Sequence, residues 1–153
     1  MSDGYGTLGG VTSATSWADV AREAPEFAQR VRGLFDARKH KTMATVRSDG
    51  SPRISGIELS FDGGELRFGS MAGSVKGHDL RRDPRLAVHS PTVDPPPDDP
   101  GRWPGEAKIA GRAIPDGDAF RVEVTEVVLT SVAELLAIES WHPGRGYERR
   151  ERR

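Results

Sequence analysis

A chain of 153 residues with 35% hydrophobic side chains has room for one modest core, so a single domain is the simplest organisation. Its 22 basic and 23 acidic residues nearly cancel to a formal charge of −1, which argues against a nucleic-acid partner, because phosphate backbones select strongly basic faces. Cysteine is absent, which excludes disulfides and thiolate metal sites, and no apolar run reaches the ~18 residues of a membrane span, so a soluble, cytoplasmic protein without a signal peptide or membrane partner is expected.

Residues 1–15 are rich in Gly, Ser and Thr with little to bury, and read as a disordered N-terminus. The spacing Gly4-x-Gly6-x-x-Gly9 within them matches the dinucleotide fingerprint formally but lacks the preceding strand that the motif needs. The domain proper is expected over residues 16–148, with a charged tail at 149–153. Trp17, Val20, Ala24, Phe27, Val31 and Leu34 recur at three- and four-residue steps, an amphipathic helical stripe. Ser16 can cap it, with Asp19 at the capping-box position, and Pro25 suits a first turn, so two abutting helices or one kinked helix follow.

The strand region begins at 42–47, passes an Asp-Gly hairpin signal at Asp49-Gly50, and returns over 52–61. Ile57, Leu59 and Phe61 alternate there while Ile54 sits on the other parity, which a bulge at Gly56 would reconcile. Asp62-Gly63-Gly64 turns the chain into a third strand over 65–70. A short helix spans 74–82, ended by Asp83-Pro84, and a fourth strand covers 85–90. Residues 91–104, rich in Pro and Asp, form a loop or lid in which Trp103 either covers a pocket or packs back onto the barrel. Further strands are expected at 106–114, interrupted by Gly111, at 120–130, and at 135–141. The sum is a mainly β protein: an antiparallel six- to seven-stranded split β-barrel with an N-terminal helix and one small helix.

No G-x-S-x-G elbow appears, and His40, His78, His89 and His142 are widely spaced without an HExxH, so neither a hydrolytic triad nor a metal site is expected. His89 and His142 are the available acid–base candidates, each better suited to a structural role, and the catalytic residues stay unassigned. One corner has more to offer. Ser70 ends a strand, Ser74 can cap the next helix, and Lys76 lies in its first turn, where free N–H groups and the helix dipole favour an anion. An ordinary helix start with a solvated lysine would look the same from sequence. Arg53 and Ser55 alternate with Ile57 onto one face of the neighbouring strand, either toward the same ligand or as edge-strand residues.

The stretches ATVRSDGSPRISGIEL and LRFGSMAGSVKGHDLRRDPRLAV resemble the FMN-binding split barrel of the pyridoxamine 5′-phosphate oxidase-like superfamily, through Phe68, Ser70, Ser74, Lys76, Leu80 and Pro84. Residues 111–113 and 141–146 extend the likeness. The resemblance implies a homodimer with two FMN sites at its interface and hydride transfer to or from a small-molecule substrate. In it, Ser70, Ser74 and Lys76 would hold the phosphate, with Met71 and Val75 beside them. Arg53, Ile54, Ser55 and Gly56, on to Ile57, would line the isoalloxazine ring, and Trp141 and Arg145 would reach the cofactor of the other subunit. Two positions depart from the oxidases, which carry an arginine where Val75 stands and another about where Ser55 stands. The alternatives are therefore a deazaflavin-dependent reductase on the same fold, with Arg81, Arg82 and Arg85 lining a basic groove for a longer polyanionic tail, and a non-catalytic ligand-binding barrel.

Overall fold

The structure, a computed structural model, describes residues 15–153, so the expected disordered N-terminus up to residue 14 and the glycine spacing within it lie outside the described residues. Thr15 is already tied down: its carbonyl accepts from the Val124 N–H at 2.8 Å. The Asp19 carboxylate then accepts from the Ser16 N–H at 2.8 Å and closes the start of α1, Trp17–Glu23. Helix α2, Pro25–Asp36, abuts it at Ala24, with Pro25 in its first turn as the sequence predicts. The apolar stripe is buried from Trp17 through Val20, Ala24, Phe27 and Val31, but it ends on Phe35 rather than Leu34. Phe35 and Trp17 both pack edge-on against Phe61, which plugs the core between the helices and the sheet.

Eight strands follow: β1 Lys41–Val46, β2 Pro52–Ile57, β3 Arg67–Gly69, β4 Arg85–His89, β5 Trp103–Asp116, β6 Ala119–Val132, β7 Leu136–His142 and β8 Gly146–Arg152. A third helix, α3 Val75–Arg82, stands between β3 and β4. All pairings are antiparallel, in the order β2-β1-β4-β5-β6-β7-β8, with β3 attached separately to the start of β6. Thus β6 pairs with β3 at one end and β7 at the other, which splits the barrel. The mainly β, antiparallel architecture matches the sequence reading; the extra strand is β8, which takes in residues expected to form a charged tail. Among the described residues no helix is long and apolar enough to cross a membrane.

One detail of register differs from expectation. The β1–β2 pairing runs unbroken through Gly56 (Thr42 opposite Gly56, Met43 opposite Ser55, Ala44 opposite Ile54), so there is no bulge, and Ile54 simply faces outward at 74% exposure. The β5–β6 pairing shifts register twice, between Trp103 and Glu106 and, at the glycine where an interruption was expected, between Ala110 and Gly111, where β6 carries one extra residue, Thr125. A Cβ at Gly111 would fall 2.2 Å from the Glu123 carbonyl oxygen, so only glycine fits this close approach. Beyond the bulge the inward parity of β6 switches from Phe120, Val122 and Val124 to Val127 and Leu129.

The inward faces of β1, β4 and β5 bury Met43, Leu86, Val88, Ala107 and Ile109. The outward faces of β2, β1, β4 and β5 carry a row of apolar side chains in register: Ile54, Ala44, Ala87 and Ala110. Ile54, Ala44 and Ala87 of this row border a shallow hollow of about 400 Å³ that also touches His89 and Lys108. The 91–104 segment stays irregular until Trp103, whose indole N–H donates to the Val93 carbonyl at 2.7 Å; the ring packs back onto its own loop.

Candidate phosphate cradle and cleft

Strand β3 ends at Gly69, and the chain turns through Met71 before α3 begins. The Ser74 hydroxyl caps α3 by accepting from the Gly77 N–H at 3.1 Å. It also shares a 2.5 Å hydrogen bond with the Ser70 hydroxyl, so the two oxygens stand side by side over the first turn. Gly77, buried in that turn, is the reason they fit: a Cβ there would lie 2.9 Å from Ser74 Oγ and 3.0 Å from Ser70 Oγ. A carbon at that distance would have to displace one hydroxyl. The missing side chain leaves a cradle of two hydroxyls at the positive end of a helix dipole, a donor set that suits a phosphate.

Lys76 reaches across the cleft and donates to the Gly56 carbonyl of β2 at 3.1 Å. Ser70, Met71, Lys76, Gly56 and Ile57 line one cleft of about 550 Å³, with Glu58 and Asp118 at its rim. Four expected site residues, Gly56, Ser70, Met71 and Lys76, therefore converge on one space, with Ser74 behind Ser70.

The other expected residues are placed elsewhere. Arg53 does not reach into the cleft as a free cation; its Nε donates to Asp79 Oδ2 at 2.6 Å. Asp79 is buried at 2% exposure and also takes bonds from the Thr45 hydroxyl at 2.8 Å and Arg82 Nη2 at 3.0 Å. Those bonds, Arg53's first among them, hold its carboxyl down to about 2 against the burial that raises it. Arg53 thus fastens α3 to β2. Ser55 shares its face and is half-buried, whereas Ile54 turns to the opposite side and lines the outer hollow. Val75 is exposed at the surface of α3, with no polar group to contribute.

Trp141 packs within its own chain. It is 1% exposed within this chain's own core, because it pairs with Val127 on the inward parity that the β6 bulge creates. Its indole N–H is buried without a hydrogen-bond partner. Arg145 lies in the β7–β8 turn, where its N–H donates to the His142 carbonyl at 3.2 Å. Both candidate histidines are paired with glutamates: His142 Nε2 with Glu126 at 2.8 Å, and His89 Nε2 with Glu106 at 2.9 Å. Sequence reasoning missed Gly77 and Asp79, whose meaning depends on neighbours from β1, β2 and β3. The only local trace was an unusual glycine inside a short helix.

Residues 27–131 match the family described as pyridoxamine 5′-phosphate oxidase. No curated protein matches the chain. Among solved structures, the fold is similar to PhzG from Burkholderia lata 383 in complex with tetrahydrophenazine-1-carboxylic acid, at 14% identity over 90% of this chain and 95% of that one, with a TM-score of 0.62. It is equally similar to a pyridoxamine 5′-phosphate oxidase-related, FMN binding protein from Nostoc punctiforme PCC 73102, at 10% identity over 89% and 99% of the two chains, TM-score 0.62. At these identities the likeness is one of fold.

Proposed function

The chain belongs to the pyridoxamine 5′-phosphate oxidase family, and from that premise we propose that it is a homodimeric oxidoreductase that binds FMN and acts on a small organic substrate. The observation that carries this reading is the paired Ser70 and Ser74 hydroxyls over Gly77, with Lys76 held across the same cleft. Ser70, Ser74 and Lys76 would hold the phosphate, and the β2 backbone around Gly56 would form the wall beside it. When bound, the flavin would supply hydride transfer; the protein's part is to anchor, orient and shield it.

A deazaflavin with a longer polyanionic tail is less well supported. It calls for an open basic groove, yet Arg82 and Arg85 are engaged by Asp79 and Asp83, and the rim of the cleft carries Glu58 and Asp118. The dimer is supported by the outward row of Ile54, Ala44, Ala87 and Ala110, a face of apolar side chains that a second copy of the chain could cover.

The test is an absorbance spectrum of the purified protein, followed by fluorescence titration with FMN and with a deazaflavin. Specific FMN uptake, weakened about 10- to 100-fold by Lys76→Ala with the fold intact, supports the reading. Uptake of deazaflavin alone, or unchanged FMN affinity in the variant, overturns the cofactor or the assigned corner respectively.

A further inference from the structure

Arg81 lies four residues beyond Gly77, on the same side of α3, and long helical side chains lean back toward the N-terminus of their helix. A side chain at 77 would stand in its path, and glycine provides none. An ideal Cβ at Gly77 would be 3.3 Å from Arg81 Nη1, so the guanidinium and the Ser70 and Ser74 hydroxyls ring one point. The guanidinium lies over the Phe120 ring, 5.4 Å from its centroid, and that ring is buried and stacked on Phe68. Phe120 is therefore a rigid shelf that steers the charge toward the cradle.

The neighbouring arginines are differently employed. Arg82 is bound to Asp79 and to the Val46 carbonyl, and Arg85 to Asp83. Among the described residues no carboxylate stands within ion-pair distance of Arg81. An exposed guanidinium beside two hydroxyls and without a carboxylate partner has the chemistry of a phosphate ligand, since charge-assisted bonds to phosphate oxygens are its strongest available contacts.

We propose that Arg81, admitted by Gly77, is a phosphate-binding residue that supplies the second positive charge of the cradle, in place of the charge that Val75 does not provide beside Lys76, and that the group it selects is a terminal phosphomonoester. Such a group is close to a dianion at neutral pH, and Lys76 with Arg81 matches its charge; a phosphodiester carries one charge and leaves one cation unmatched. This inference rests on the cofactor reading above.

The experiment compares FMN with riboflavin, the same ring without phosphate, on the wild-type chain, Arg81→Gln and Arg85→Gln; the two variants lose the same charge. Fluorescence titration is expected to show Arg81→Gln weakening FMN about 10- to 100-fold while riboflavin binding is unchanged, with Arg85→Gln like wild type. An FMN-to-riboflavin preference equal in Arg81→Gln and wild type overturns the proposal. Inorganic phosphate, followed by thermal shift, separates the two readings. If wild type takes up neither flavin, the cofactor reading fails, and stabilisation by phosphate that Arg81→Gln loses and Arg85→Gln keeps still supports the cradle. No such stabilisation overturns it too.

Discussion

Arg30 of α2 grips Glu139 of β7 with both ends of its guanidinium, across 109 residues of sequence. Glu139 has no exposed surface, and Tyr147 donates its hydroxyl to the same carboxylate at 2.5 Å while Arg149 approaches it at 3.4 Å. Burial pushes the Glu139 carboxyl up, but the bonds from Arg30 and Tyr147 outweigh it and hold the group ionised. This clamp fastens the helical layer to the last hairpin. Arg30→Ala is expected to cost about 2 kcal/mol in urea denaturation, less than the roughly 3–5 typical of a stripped buried pair, because Tyr147 and Arg149 remain. An unchanged midpoint would mean the clamp is ornamental.

Acid stability should report on Asp79. Its folded carboxyl titrates at about 2, below its ordinary value of 3.8, so its bonds to Arg53, Thr45 and Arg82 contribute fully above the unfolded value and are lost as pH falls from there through the folded value. Asp79→Asn should therefore lower stability at neutral pH and flatten the part of the pH–stability curve between pH 4 and 2. A variant curve parallel to wild type across that window would refute the assignment.

Gly77→Ala separates fold from ligand binding. Alanine favours a helix by about 1 kcal/mol over glycine, so little stability should be lost even though its Cβ crowds Ser70 and Ser74. FMN affinity should fall at least about tenfold, because one hydroxyl must leave the cradle. Calorimetry beside a binding titration reads both quantities on one sample.

Ala87→Arg probes the proposed dimer. Ala87 sits in the outward row between Ala44 and Ala110, where a long charged side chain has no counterpart. Sedimentation should show the wild-type dimer replaced by monomer, with an unchanged circular dichroism spectrum. A wild-type chain that sediments as a monomer would remove this face as an interface.

Much of this was legible locally. The Asp49-Gly50 hairpin, the break at Pro25 and the Ser70–Ser74–Lys76 spacing each depend on residues within one or two turns of one another. The direction of Trp141 did not. It follows the parity of β6, which the extra residue at Thr125 reverses, and nothing near Trp141 in sequence signals that bulge. Arg53 was placed on the same face of β2 as Ser55, but its partner Asp79 lies across the fold, so its ion pair could not be read from the strand alone. Glu139 likewise looks like an ordinary strand carboxylate until Arg30 is beside it.

The bond from Lys76 to the Gly56 carbonyl bears on binding thermodynamics. A free lysine gives up as much as about 2 kcal/mol of rotamer entropy when a ligand fixes it. Here that ordering happens during folding, and the ammonium keeps two N–H groups to offer while the carbonyl holds the third. An arriving anion thus meets a side chain already at rest, so the association should show a small entropic penalty at this position, visible as a more favourable −TΔS than in a variant whose lysine is detached from β2.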